Sequence, residues 1–426
     1  MQAFKQGAKH PDIDLIQLAL RRAGHTPGKI DGIFGPRTKS ALDAFRRARQ
    51  MEQPDHIDEA DWRVLTPFLT GYVRRTIQQR DTFEALARTY RTSTQAIQTA
   101  NPDARPEHLN IGQKLIIPLD FDIVPTEVRF TWTTLYYVVR GLTARYPKIT
   151  QETLGHSVSG REIPVLRFGA GAHEVSYNAS HHGNEWITTP VLLKFLEDYA
   201  KAEALGNTLA RQEARVLHTM STLHLIPMVN PDGVDIATGA IDSGPEYEYA
   251  TYLAENYPHI PFPTGWKANA RGVDLNLQYP AGWERAKEIK FAQGFTKPGP
   301  RDYVGKSELS EPESRALYEY TLKHDFYLTM SYHSQGQVIY WQYLDHEPAG
   351  SREIGKIFSK LSGYALEETP IASGHAGYKD WFILHFDRPS YTIEVGLGVN
   401  PLPLTQFDKI YADNQAMLEM ALVITA

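Results

Sequence analysis

The sequence predicts three consecutive folding units: a small bundle of short helices, a small α+β module, and a large α/β layered domain. Three observations predict it. Apolar residues recur at helical spacing in the first segment, and the pattern then shifts to short helices closed by an apolar strand. Beyond that, strand-like runs alternate with helical ones to the end of the chain. The expected boundaries are 1–70, 71–120 and 121–426.

In the first unit Ile13, Ile16 and Leu20 share one helical face, and Ala41, Phe45 and Ala48 share another. Between them Gly28-Lys29-Ile30-Asp31-Gly32-Ile33-Phe34-Gly35-Pro36 must reverse the chain. This segment resembles the three-helix peptidoglycan-binding domain, whose Asp-Gly-x-Phe-Gly signature is Asp31-Gly32-Ile33-Phe34-Gly35, followed by Thr38 and Ala41 to Phe45.

In the second unit Asp81-Thr82-Phe83-Glu84 has the form of a helix start, with Asp81 as the expected cap and Glu84 three residues on. Phe83, Leu86, Ala87 and Tyr90 form the apolar face. A second helix around Ala96 and Ile97 ends at Asn101-Pro102, and Lys114 to Pro118 reads as a closing strand. The unit resembles a LysM module, which implies binding of N-acetylglucosamine-containing glycan. Arg80 stands where that family has a glycine.

In the third unit the runs around Val175 to Ala179, Leu223 to Met228 and Tyr391 to Val395 read as buried strands, and Pro190 to Ala200 as a helix. The chemistry sits at strand ends, where open α/β sheets gather their ligands. His181-His182-Gly183-Asn184-Glu185-Trp186 follows the first strand; His333-Ser334 ends another, and Glu394 a third. His182 and Glu185, three apart, can turn an imidazole and a carboxylate onto one ion, and His333 would complete three ligands for Zn²⁺. Glu394 beside them would serve as general base.

Composition narrows the field. The chain has no cysteine, which excludes disulfides, thiol catalysis and cysteine metal ligands, so a metal must be held by His, Asp or Glu. Net charge is −6 with no basic block, so no nucleic-acid partner is expected. No apolar run reaches the roughly 18 residues of a membrane span. Met1-Gln2-Ala3-Phe4-Lys5 lacks the apolar core of a secretory signal. The two wall-module resemblances imply a cell-wall or spore setting, and the missing signal keeps the cytoplasm or forespore as alternatives.

The third unit resembles the zinc carboxypeptidase family, with five motifs in order: His182-x-x-Glu185, Asn230 to Gly233, Gly272 to Asn276, His333-Ser334 and Glu394. The resemblance implies an α/β/α domain with a mixed central sheet, a zinc ion on His182, Glu185 and His333, and Glu394 as base. It also implies a cation holding the developing oxyanion. Spacing favours Lys267 and chemistry favours Arg271, so Arg271 is the expectation.

Two departures matter. The family's Asn-Arg pair, whose arginine grips a substrate's terminal carboxylate, reads Asn276-Leu277 here, and leucine cannot donate to a carboxylate. The substrate-closing tyrosine has only His375 or Tyr378 as counterparts. The run Trp266 to Asn276 and the His-His-Gly-Asn-Glu-Trp motif resemble the γ-D-glutamyl-diaminopimelate endopeptidase branch. Peptidoglycan glycan strands and stem peptides are then the implied partners, and spore formation one implied setting. Asn276 would orient the substrate, and Arg271, Lys267 or Lys379 would read its carboxylates. The alternatives are a plain metallocarboxypeptidase and a catalytically idle wall-binding protein.

Overall fold

The early helical spacings become α1 (Pro11–Arg22), α2 (Pro36–Arg47) and α3 (Glu59–Thr70). Ile13, Ile16, Leu20, Phe34, Phe45 and Trp62 form their shared core. The glycine-rich loop is held from α1. Gln17 Oε1 accepts from the backbone N–H groups of Asp31 and Gly32, each at 3.0 Å. Gly32 has φ +68, and a Cβ there would lie 2.9 Å from the His10 carbonyl oxygen. The loop therefore needs glycine at that position.

Next come β1 (Tyr72–Thr76), α4 (Phe83–Tyr90), α5 (Thr94–Ala100) and β2 (Lys114–Pro118), with β1 and β2 antiparallel. The cap of α4 is Thr82, whose Oγ1 accepts from Ala85 N at 3.1 Å. Asp81, the expected cap, instead accepts from Gln78 N and pairs with Arg75. Asn101 ends α5 and reads the backbone of β2, its side chain both accepting from Ile116 N and donating to Ile116 O.

The computed structural model describes residues 3–424. It divides into two compact units. Residues up to Arg129 with Thr133–Ile149 make one unit; Phe130–Trp132 and the residues from Thr150 onward make the other, and α6 (Trp132–Arg145) begins where the assignment changes.

The second unit is built on an eight-stranded sheet. Its strands are β3 (Thr150–His156), β4 (Glu162–Gly169), β5 (His173–Ala179), β6 (Ser221–Ile226), β7 (Leu328–His333), β8 (Val338–Tyr340), β9 (Ala365–Glu367) and β10 (Ser390–Glu394). They lie in the order β9-β8-β10-β7-β5-β6-β4-β3. The inner four, β10, β7, β5 and β6, are parallel, and antiparallel pairings flank them. Every residue of β6 and β7 is buried, as in parallel strands covered on both faces. Helices α7 (Thr188–Leu205), α8 (Pro231–Thr238), α9 (Trp283–Ala292), α10 (Pro312–Leu322), α11 (Ser351–Ser362), α12 (Tyr378–Phe386) and α13 (Phe407–Ala421) complete the layers. The mixed sheet agrees with the α/β/α expectation. Three adjacent parallel strands, β10, β7 and β5, end side by side, and the predicted chemistry lies at those ends.

Candidate active site

His333 is the last residue of β7 and Glu394 the last of β10, and the two are register partners. Beyond β5 the chain makes a short 3-10 turn, Gly183–Glu185, which swings His182 and Glu185 toward them. The turn has no clearance. A Cβ on Gly183 would sit 2.3 Å from the Gly233 carbonyl oxygen, and one on Gly233 would sit 2.3 Å from that of Ala268. Asn230, which caps α8, donates to the carbonyls of His181, Lys267 and Ala268. Gly183 N donates to Lys267 O at 3.0 Å. The Asn230 to Gly233 motif thus does not enter the cleft; it clamps the ligand turn to the strand of chain carrying Lys267.

His182, Glu185 and His333 present donor atoms within 4.8 Å of one another, and all three are buried. His182 Nδ1 lies 2.9 Å from Glu185 Oε1, His333 Nδ1 lies 3.0 Å from Glu185 Oε2, and the two Nδ1 atoms are 3.2 Å apart. His182 Nε2 donates to Asp274 Oδ1 at 3.0 Å. A carboxylate can only accept, so that contact keeps a proton on Nε2 and leaves Nδ1 as the nitrogen on which a metal would replace a proton. Ser334 N donates to Glu185 Oε2 and orients the carboxylate. Burial disfavours a charged imidazolium here, yet Glu185 and Asp274 outweigh it and push His182 up to about 9. The field at this point attracts positive charge.

Glu394 faces the same cleft, and burial together with the Glu185 charge pushes it up to about 8. Lys267 stands on the other side, its Nζ 3.2 Å from Glu185 Oε1. Burial opposes its ammonium, but Glu185, Asp274 and Asp302 more than compensate and raise it above the ordinary lysine range.

The cleft has two lobes that share Lys267, Arg301, Tyr340 and Glu394. The deeper one, of about 200 Å³, is lined by Asn276, Leu277, Lys290 and Lys379 besides the ligands. The wider one, of about 690 Å³, runs past Asn184, His259 and Asn400. Lys290 and Arg301 both pair with Asp302, at 2.7 and 2.5 Å.

Expectation and structure part at three residues. Arg271 is half-exposed, reaches toward Glu311 at 3.6 Å, and lines a separate depression with Tyr249 and Tyr303. The cause is the turn at Asn269, whose Oδ1 accepts from the N–H groups of Arg271 and Val273, with Gly272 at φ +72. Tyr378 is fully buried, its hydroxyl 3.0 Å from Thr321 Oγ1; only its backbone meets the site, donating to Asn276 Oδ1. His375 is buried against Tyr343, with Nδ1 3.3 Å from the tyrosine hydroxyl. Three further residues build the site without having been expected there from sequence pattern: Asp274 behind His182, Arg301 in both lobes, and Lys290. Asp274 sits inside a recognised motif and was the one with a signal.

Residues 135–417 match the zinc carboxypeptidase family. The chain belongs to that family. Residues 76–118 match the LysM domain and residues 9–55 the peptidoglycan binding domain. The zinc carboxypeptidase-like protein is 39% identical over 298 residues to gamma-D-glutamyl-L-diamino acid endopeptidase 1 of Lysinibacillus sphaericus, spanning 69% of this chain and 72% of that one. It is also 39% identical over 281 residues to YqgT of Bacillus subtilis (strain 168), spanning 65% and 73%. A crystal structure of thrombin activatable fibrinolysis inhibitor shares the fold, with a TM-score of 0.54 at 15% identity, covering 86% of this chain and 95% of that one. The protein is thus a zinc metallopeptidase. Its donor set fits the metal: two imidazole nitrogens and one carboxylate converge, the count of a catalytic zinc site that keeps a fourth position open. Among the described residues, no helix is long and apolar enough to cross a membrane.

Proposed function

We propose that this metallopeptidase hydrolyses the amide bond between γ-D-glutamate and meso-diaminopimelate in peptidoglycan stem peptides. The observation that carries the reading is Leu277. It lines the cleft beside the ligands at the position where ordinary family members grip a terminal carboxylate. The two lobes of the cleft meet at Lys267, Arg301, Tyr340 and Glu394, which suits a substrate that occupies both. The 39% identity to a γ-D-glutamyl-L-diamino acid endopeptidase supports the same bond, and the peptidoglycan-binding and LysM domains support a wall-associated substrate.

When bound, zinc supplies a Lewis acid at the scissile carbonyl and lowers the pKa of water there to near 7. His182, Glu185 and His333 hold it, and Asp274 fixes the orientation of His182. Glu394 takes a proton from the attacking water and delivers it to the leaving amine. Lys267, rather than Arg271, holds the developing oxyanion, since its ammonium is the one beside Glu185. Arg301, the more exposed of the cleft's cations, reads a carboxylate of D-glutamate or diaminopimelate, while the buried Lys290 and Lys379 stay paired with Asp302 and Asp380. Asn276 orients the chain through the cleft.

Incubation with L-Ala-γ-D-Glu-meso-diaminopimelate, with and without chelator and alongside Glu394→Gln, tests this by mass spectrometry. L-Ala-D-Glu and free diaminopimelate should appear, and both chelation and the substitution should abolish them. A second reading, a metallocarboxypeptidase, draws on Arg301, which lines both lobes and, with its Nε bonded to Asp302, would meet a terminal carboxylate through its two outer nitrogens. That reading replaces the first if the tripeptide survives while an ordinary peptide loses its C-terminal residue and its C-terminally amidated form does not.

A further inference from the structure

A second cluster of metal-ligating side chains lies at the opposite end of β5 from the catalytic ligands. Glu174 is at the start of β5, His224 is in β6, and His324 is in the loop between α10 and β7. Their donor atoms also fall within 4.8 Å of one another. His224 is fully buried; the Glu174 and His324 side chains keep 22% and 19% exposure, so the cluster opens to solvent on one side.

The hydrogen bonds around His224 decide its tautomer. Tyr320 Oη donates to Glu152 Oε1 at 2.8 Å. Its oxygen must therefore accept from His224 Nδ1, which lies 2.8 Å away. Nδ1 then carries the proton and Nε2 a bare lone pair. That Nε2 has no hydrogen-bond partner among the described residues and faces Glu174 Oε1 at 3.4 Å. Two lone pairs confronting each other in a buried setting need a positive centre between them. Glu174 Oε2 lies 3.6 Å from His324 Nδ1 and accepts from Asp325 N at 3.3 Å, so the carboxylate is held in place. Ligand atoms about 2.0–2.1 Å from a tetrahedral ion stand about 3.3 Å apart. His224 Nε2, 3.4 Å from Glu174 Oε1, is close to that spacing, and His324 Nδ1 stands 3.6 Å from the other carboxylate oxygen, Oε2.

A proton on His224 is the rival occupant. Nδ1 already carries the ring's proton, so a second one on Nε2 would place an imidazolium in a fully buried ring beside Arg167. Arg167 would also repel a metal, but the Glu152 and Glu174 carboxylates offset it, and a divalent ion gains three ligand bonds that a proton does not.

We propose that Glu174, His224 and His324 form a second, non-catalytic site for a zinc-class divalent ion, clamping the start of β5 and the middle of β6 to the chain entering β7. The site is independent of the substrate assigned above.

The test is zinc stoichiometry of the full chain. The protein is saturated with Zn²⁺, passed through a desalting column and analysed by inductively coupled plasma mass spectrometry. Wild type should hold two equivalents. Glu174→Gln and His324→Ala, both at partly exposed positions, should hold one each and keep the wild-type rate of peptide hydrolysis and circular dichroism. His182→Ala should also hold one, now at the second site, and Co²⁺ loaded there should give the visible absorption of a His/carboxylate site. One equivalent in saturated wild type, or two in His324→Ala, would overturn the proposal.

Discussion

Two neighbouring cations compete for one catalytic role, and geometry separates them. Lys267 Nζ lies 3.2 Å from a metal-ligand oxygen, whereas Arg271 pairs with Glu311 in another depression. Removing a preorganised oxyanion donor costs roughly 100- to 1,000-fold in rate. Lys267→Ala should therefore lower kcat by about that factor with zinc content unchanged, while Arg271→Ala stays within about twofold of wild type. Steady-state kinetics beside metal analysis checks both. Asp274 acts one step further out. Its bond to His182 Nε2 fixes which nitrogen faces the metal, and loss of such a partner weakens metal binding about 10- to 100-fold. Asp274→Asn should show that loss in a competition titration against a chromogenic chelator. A zinc affinity equal to wild type would remove Asp274 from this role.

At the scale of elements, α10 carries Glu313 into a fully buried position, where its carboxylate accepts from Val158 N and Asn269 Nδ2. Burial, reinforced by Asp232, pushes it up to about 7 from an ordinary value of 4.5. Above 4.5 the unfolded chain releases this proton while the folded chain keeps it, so stability falls as pH rises from about 4.5 to about 7 and levels off beyond. Glu313→Gln should flatten that part of the profile in zinc-saturated protein, read by thermal denaturation at several pH values. In the LysM module, Arg80 holds φ +72 where the family places glycine. A left-handed backbone costs an L-residue roughly 1–2 kcal/mol, partly offset by the greater freedom of glycine when unfolded. Arg80→Gly should raise stability by up to about 1 kcal/mol, measurable by chemical denaturation.

The same scale shows what the sequence made legible. The candidate ligands are legible because each follows a buried apolar run, and the run locates the strand end. Asp274 was not readable as a partner of His182, because the two are 92 positions apart and only folding joins them. Arg301 carries no periodic signal. Arg271 was misplaced because a turn closed by Asn269 and Gly272 sends residues four apart to different sides. Tyr378 lies within an aromatic cluster with Tyr279 and Trp381, so α12 presents Lys379 and Asp380 to the cleft instead.

For the whole molecule, two binding domains and one hydrolytic domain predict a separation of affinity from chemistry. Binding to glycan needs no zinc in this scheme, whereas hydrolysis does. The full chain should sediment with insoluble peptidoglycan equally well with and without chelator, and Glu394→Gln should sediment while releasing no peptide. Loss of sedimentation on chelation alone would mean that the hydrolytic domain supplies the attachment.

The backbone contact of Gly183 with Gly233 has a practical corollary for anyone wishing to retarget the enzyme. A single added methyl group at either position would act as a wedge under the histidine turn, and damage there would be mistaken for altered selectivity. Diversity in a mutant library belongs on the outer wall, at Tyr340, Thr369 and Ser373, which border the cleft without touching that seam. The stretches 180–186, 230–233 and 266–274 are best carried through every round unchanged.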